Sequence, residues 1–388
     1  MLTSLAVAGY RSLRDLVLPL ESLNLITGPN GSGKSNLYRG LRLLSQTAFG
    51  TATASLASEG GIDSVLWAGP EKFTKAAKRG DASVQGGPRS DTVSLRFGFA
   101  SDEWSYAIDF GLPQPVPRTM FSKDPEVKRE AIWLGDVWHA RRAMVDRRGS
   151  VVRARDDSGR WEVIERHLPA FESMLSRLAD PGRAPEALLL REEIRSWRFY
   201  DHFRTDADSP ARRPQIGTRT LVLANDGHDL AAAWRTIEEI GDAGALEVAV
   251  CDAFPGASVS VIETSGRFEL EFAQRGLLRP LRQAELSDGT LRYLLWIAAL
   301  LTPRPPTLMV LNEPETSLHP ELLPALGRLM LVCAEETQLW VISHSSVLVE
   351  ALTSVSGCNH LELDKQLSAT YVQGQHMLEA PPWKWPSR

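Results

Sequence analysis

Residues 28–35 read GPNGSGKS, which sets glycines at 28, 31 and 33 ahead of a Lys-Ser pair. Glycine reaches positive φ without steric cost, so such a run can curl until its backbone N–H groups converge, and a helix starting at its end adds the positive pole of its dipole. Those are the requirements for holding a chain of phosphates. In a loop of the form GxxxxGK[ST], the N–H groups around Gly31, Ser32 and Gly33 would cradle the phosphates, Lys34 would reach the β- and γ-phosphates, and the Ser35 hydroxyl would ligate Mg²⁺. The expected ligand is ATP with Mg²⁺. A plain glycine turn carrying a solvated lysine is the alternative.

Three further clusters lie far along the chain. LMVLNEP at 308–314 is an apolar run that ends in Asn312 and Glu313. A carboxylate at the carboxyl end of a buried strand can polarise an attacking water, and the residue before it ordinarily holds the metal's water shell. That residue is Asn312, whose amide oxygen can accept a hydrogen bond from a metal-bound water but brings no negative charge. Glu313 ahead of Pro314 would equally suit the start of a helix. ELSDGTLR at 285–292 offers Ser287 and Asp288 as N-caps and Gly289 as a point of close backbone approach. Alone, it is a well-capped helix. Ser343-His344-Ser345 closes another apolar run, where an imidazole either senses a γ-phosphate or does nothing chemical.

The elements that would position these residues are those of an open α/β sheet. Residues 23–27 form an apolar strand, and 36–46 place Leu37, Leu41 and Leu44 at helical spacing, so the glycine run is a strand-to-helix turn. Later, a helix over 289–301, a strand over 307–311, a helix over 321–335 and a strand over 338–342 alternate as buried parallel strands require. Between the two ends, residues 50–88 are rich in Gly, Ala and Ser, and 92–110 alternate as a hairpin with Val93, Leu95, Phe97 and Phe99 on one face. A charged stretch over 123–166 contains Arg141, Arg142, Arg147, Arg148, Arg153 and Arg155. Helical patterning at 168–178, 185–196 and 229–240 suggests a mostly helical second lobe, followed by two strands over 257–272. The expected organisation is a core lobe from 1–50 and 280–388, with 51–279 inserted.

Composition narrows the class. Of 388 residues, 43% are hydrophobic and 23% charged, a globular balance. Forty-three Lys and Arg against 48 Asp and Glu leave a net charge of −5, so a nucleic-acid contact would need a local basic patch. The arginines of 141–155 are the candidate, with a solvated hairpin as the alternative. Cys251, Cys333 and Cys358 lack the spacing of a zinc site or a disulfide framework and fit a reducing cytoplasm. No apolar run spans a bilayer, and Arg11, Arg14 and Asp15 come too early for a secretory leader.

The order of these elements, phosphate loop, SDG helix start, strand-Asn-Glu and strand-His, resembles an ABC-type ATPase head of the RecF, SMC and overcoming-lysogenization-defect (OLD) group. The resemblance implies an α/β P-loop NTPase with a large inserted lobe. It makes Ser287, Asp288 and Gly289, which begin 20 residues before Thr307, a signature motif that completes a partner's site. It makes Glu313 the catalytic carboxylate and His344 a switch histidine, and 315–320, ETSLHP, a D-loop. It also brings Asn30 and Arg11 near the nucleotide. The chain departs from the pattern at Asn312 and at Asp288, where an ABC signature has Gly, and no Q-loop glutamine can be assigned to Gln46 or Gln114.

The implied function is an ATP-driven homodimerisation switch with ATP at the interface, serving DNA repair or anti-phage defence, with DNA or a separate effector as a partner. A transporter ATPase is the first rival. The 252 residues separating Ser35 from Ser287 exceed a compact transport head. For a fused nuclease, the 44 residues after His344 are fewer than a domain of about 50 residues or more requires. A nucleotide-dependent binding module with little hydrolysis, suggested by Asn312, is the remaining alternative. The proline- and tryptophan-rich tail at 381–386 suits either a docked partner or a strap on its own head.

Overall fold

A computed structural model describes residues 1–71, 92–114, 117, 119–178, 180–375 and 380–388. The chain forms two compact units. One comprises Met1–Glu21, Gly28–Ser196 and Leu361–Arg388, and the other Ser22–Thr27 and Trp197–His360.

The first unit is built on an eight-stranded antiparallel sheet. Its spatial order is Leu13–Pro19, Leu2–Tyr10, Leu95–Ser101, Trp104–Gly111, Glu126–Leu134, Ala143–Arg148, Val151–Arg155 and Trp161–Glu165. After the first pair it is a meander, as expected of short alternating strands joined by tight turns. The predicted hairpin face is present, with Leu95, Phe97 and Phe99 buried. Ring edges meet at Tyr10 and Phe97, whose centroids are 5.4 Å apart. The helix Lys34–Phe49 buries Leu37, Leu41 and Leu44. It approaches the sheet at Gly40, where an added Cβ would lie 3.4 Å from the Phe97 ring. Residues 50–71 form two short helices, Ala52–Ser58 and Ile62–Val65; of the Gly/Ala/Ser-rich stretch, 72–88 lie outside the described residues.

The mostly helical lobe expected for the middle of the chain is only partly what forms. The charged stretch is four strands of this sheet, and the helical patterning over 168–178 yields only Met174–Arg177, although Pro185–Ser196 is helical as read. Of the six arginines at 141–155, Arg141, Arg142 and Arg148 are exposed, Arg153 and Arg155 are partly buried, and Arg147 is not at the surface. Arg147 is fully buried, 3.2 Å from the equally buried Glu130, and donates to the carbonyls of Gly149, Pro169 and Glu172. Glu130 also accepts hydrogen bonds from Tyr106 Oη, Ser173 Oγ and Met174 N. Arg153 pairs with Asp146, and both Arg153 and Arg155 lie over the Trp161 ring. Arg147 illustrates that a buried guanidinium must find acceptors. Among the alternatives for the tail, the strap is what forms: Trp383 packs on Trp133 at 5.7 Å, and Arg388 bonds Asp109.

The second unit carries a parallel set of strands in the order Arg198–Tyr200, Leu308–Asn312, Gln338–Ile342 and Leu23–Thr27. All run in the same direction and are buried nearly throughout, as a parallel sheet covered on both faces demands. The register pairs Tyr200 with Leu311, Leu311 with Val341 and Val341 with Leu25, so the strands end together at one edge. The helix Asp288–Leu300 is apolar on almost every side, and its residues 291–300 are all buried. With Leu230–Ile240, Leu323–Cys333 and Ser346–Thr353 it forms a large core. The two strands expected over 257–272 are Ser258–Thr264 and Arg267–Ala273, paired antiparallel in a small separate sheet.

Candidate functional site

In the first unit the phosphate loop adopts the backbone its glycines were read to allow. Gly28, Gly31 and Gly33 have φ of 135°, 81° and 117°. At two of them a side chain is also sterically excluded: an added Cβ would lie 2.1 Å from Leu363 O at Gly28 and 2.2 Å from Thr370 Oγ1 at Gly33. A directional relay holds the loop from behind. Asn36 Nδ2 donates to Ser12 Oγ at 2.8 Å, Ser12 Oγ meets Thr370 Oγ1 at 2.8 Å, and Thr370 Oγ1 donates to Ser32 O at 2.7 Å. Sequence reasoning missed Ser12 and Thr370, since nothing local links them to residues 28–35.

Helix Lys34–Phe49 starts at Gly33 with no side-chain cap and no acidic residue in its first turn. Its first N–H groups are thus left to an anion, in contrast to the helices beginning after Ser287 and Ser345, which cap themselves. The buried Ser32 hydroxyl has no hydrogen-bond partner, a second polar group suited to a phosphate oxygen. Lys34 is buried and its ammonium donates to the carbonyls of Gly28 at 2.5 Å and Pro29 at 3.0 Å. Asn30, Gly31 and Ser35 are exposed. Arg11, which the family pattern would bring to the nucleotide, is tied by its guanidinium to Glu59 Oε2 at 2.7 Å, an oxygen that also accepts from Tyr10 Oη. Burial and the Glu59 charge push the Tyr10 pKa far up, so the phenol keeps its proton and donates.

In the second unit the carboxyl edge of the parallel strands gathers the remaining residues. Asn312 ends its strand and Glu313 follows in the left-handed region at φ 52°, its N–H bonded to Ile342 O at 2.8 Å. No helix starts at Pro314; the chain enters a turn in which Thr316 N bonds Glu313 O, and this removes the helix-start reading of Glu313. A non-glycine residue at positive φ costs about 1–2 kcal/mol. Here it turns the Glu313 side chain outward, 47% exposed, with His344 Nε2 3.5 Å from Glu313 Oε1. His344 is 38% exposed.

Glu315 staples this edge. Its Oε1 accepts from Ser343 Oγ at 2.7 Å, His344 N at 2.7 Å and Ser345 N at 3.2 Å, which fixes the histidine loop to the Glu313 turn. The SDG motif lies nearby at the start of Asp288–Leu300. Ser287 Oγ accepts from Thr290 N at 3.2 Å, and Asp288 pairs with Arg212 at 2.6 Å. Gly289 is close to the turn, where an added Cβ would lie 3.5 Å from Ser317 O. A buried guanidinium, Arg292, joins that turn to the end of another strand. It donates to Thr316 O at 2.8 Å, Phe203 O at 3.0 Å and Thr205 Oγ1 at 3.0 Å, and it reaches His202 Nε2 at 3.2 Å. Glu315 and Arg292 sat inside the quoted motifs, but their roles depend on long-range partners.

In the first unit the exposed Ser35 hydroxyl, and in the second the Asn312 amide and the Glu313 carboxylate, are hard oxygen donors of the kind Mg²⁺ prefers; among the described residues no group of three or more His, Cys, Asp or Glu could hold a metal ion. Among the described residues no helix is long and apolar enough to cross a membrane.

No curated protein matches the chain. Solved structures do. An SMC head bound to the C-winged helix domain of ScpA covers 98% of this chain and 99% of its own, at 15% identity and a TM-score of 0.52. The SMC head domain from Thermotoga maritima covers 97% and 99%, at 15% identity and a TM-score of 0.44. The first of these likenesses identifies the fold as the ABC-type head of SMC proteins, a P-loop ATPase fold. A family model described as "AAA domain, putative AbiEii toxin, Type IV TA system" matches residues 23–350, a span that runs from the strand before the phosphate loop past His344. With its uncapped glycine loop and its Glu313–His344 edge, the chain belongs to that family of P-loop ATPases.

Proposed function

We propose that the chain binds ATP with Mg²⁺ and hydrolyses it in an ATP-held homodimer. The observation that carries this reading is Glu313, a carboxylate at positive φ, exposed at the carboxyl edge of parallel strands and 3.5 Å from His344. A carboxylate at positive φ that reaches solvent in that position is suited by its geometry to take the proton of a water. The N–H groups of 31–35 and Lys34 hold the phosphates, with Asn30 and Arg11 toward the nucleotide. Ser35, and through water Asn312, would hold Mg²⁺, which would supply positive charge to offset that of the phosphates. The water oxygen attacks the γ-phosphorus as the bond to the β,γ-bridging oxygen breaks, ADP and phosphate leave, and Glu313 passes its proton to the phosphate. His344 donates toward the γ-phosphate side.

Ser287, Asp288 and Gly289 lie at an exposed helix start, which supports a contact in trans with a partner's nucleotide. The test uses Glu313→Gln, which keeps size but removes the base. Light scattering with Mg²⁺-ATP should find a stable dimer that Ser287→Arg dissolves. A Glu313→Gln protein that stays monomeric, or turns ATP over at the native rate, overturns the mechanism.

Asn312 favours a second reading, a switch with slow turnover whose output is a bound partner such as a nuclease. The similar SMC head is bound to a ScpA domain, and an effector of this chain is a parallel proposal. Turnover that DNA or a partner protein does not raise supports that slow switch. The service of either switch in DNA repair or anti-phage defence, in the cytoplasm, completes the proposal.

A further inference from the structure

The carboxyl edge holds one residue that no motif marks. The strand Arg198–Tyr200 runs parallel to Leu308–Asn312 with Tyr200 beside Leu311, so the next residue on each is Asp201 and Asn312. Neighbouring strands lie about 4.8 Å apart, and residues in register share a face of the sheet. Asp201 is therefore the carboxylate set beside the position that lacks one. It is not on a loose loop end: Arg292 bonds His202, Phe203 and Thr205 just after it, and the same guanidinium bonds Thr316 O in the turn that follows Glu313. One buried cation thus fixes the 201–205 segment against the Glu313 turn.

We propose that Asp201 supplies the negative charge on the metal side of the nucleotide site that Asn312 does not. The inference rests on the Mg²⁺-ATP reading above. A carboxylate and an amide side by side give the water shell of a divalent cation one charged and one neutral acceptor, with the charge moved by one strand. Asn312 then keeps an acceptor's role, and the strand order carries the charge.

The experiment measures binding, separately from turnover. Mn²⁺ serves as a paramagnetic stand-in, its binding read by electron paramagnetic resonance in the presence of a non-hydrolysable ATP analogue, and analogue affinity is also measured in EDTA. Asp201→Asn, nearly isosteric, should weaken Mn²⁺ binding ~10-fold while metal-free analogue affinity is unchanged. The double substitution Asp201→Asn with Asn312→Asp should restore Mn²⁺ affinity, which a merely structural role for Asp201 would not allow. Normal analogue binding with an unmoved Mn²⁺ isotherm, or no rescue by the double variant, overturns the assignment of Asp201 alone. Failure of the unsubstituted chain to bind the analogue overturns the nucleotide reading beneath it.

Discussion

Glu130 and Glu313 each lie within 3.5 Å of a nitrogen-bearing side chain, yet they sit in opposite surroundings. Glu130, inside the antiparallel sheet, is fully buried and accepts from an arginine, a tyrosine, a serine and a backbone N–H. Glu313, at the end of a parallel strand, is half exposed, strained at φ 52° and opposite a half-exposed histidine. The first carboxylate has its hydrogen-bonding capacity filled by the fold. The second keeps its capacity for something that arrives. A charged group that is completely satisfied stabilises structure, whereas one held at a strained, open strand end is available for chemistry. The same contrast separates Arg147, consumed by carbonyls, from the uncapped N–H groups after Gly33.

The largest effect expected is on turnover. Glu313→Gln should lower ATP hydrolysis by about 10²–10⁴-fold and leave the thermal midpoint unmoved, as measured by phosphate release and differential scanning calorimetry. A fall in stability without a fall in turnover would erase the contrast. Next, Arg147→Ala should cost about 3–5 kcal/mol in denaturant unfolding, because Glu130 is left as a buried charge without its cation. A cost below 1 kcal/mol would mean that Glu130 is already satisfied by its neutral donors.

Gly33→Ala sharpens the comparison at the loop. The added Cβ meets Thr370 Oγ1 and adopts positive φ, so nucleotide affinity and stability should both drop, with about 1–2 kcal/mol from the backbone alone. Thr370→Ala in the same chain should relieve the clash but also removes the hydrogen bond to Ser32 O, so recovery beyond the Thr370→Ala single variant should be absent and the backbone part should persist. The smallest effect is at Ser287, which caps its own helix: Ser287→Ala should cost about 1 kcal/mol in unfolding. A larger loss seen only with Mg²⁺-ATP present would separate a trans contact from the cap.

Local patterns wrote much of this molecule. The spacing of Leu37, Leu41 and Leu44, the apolar runs before Asn312 and His344, and the turn glycines were legible because each depends on neighbours in sequence. The middle was not. Among the 141–155 arginines, read as a candidate patch or a solvated hairpin, Arg147 turned out buried, since sequence shows charge but not the carbonyls of Pro169 and Glu172 that take it up. Short strands crowded with Arg and Asp also lack the alternation by which exposed strands are recognised.

By itself, then, the sequence determined the phosphate loop, the strands that end in Asn312 and Ile342, and the helix caps, because backbone conformation at glycine and hydrophobic period are local properties. Tertiary structure alone decided that Leu2–Tyr10 pairs with Leu95–Ser101, that Thr370 and Ser12 brace the loop, and that Glu315 fastens His344 to the Glu313 turn. It also set Tyr200 beside Leu311, one residue before Asp201 and Asn312. Those relations join residues tens to hundreds of positions apart, and a hydrogen-bond partner at that distance leaves no periodicity for a sequence to display.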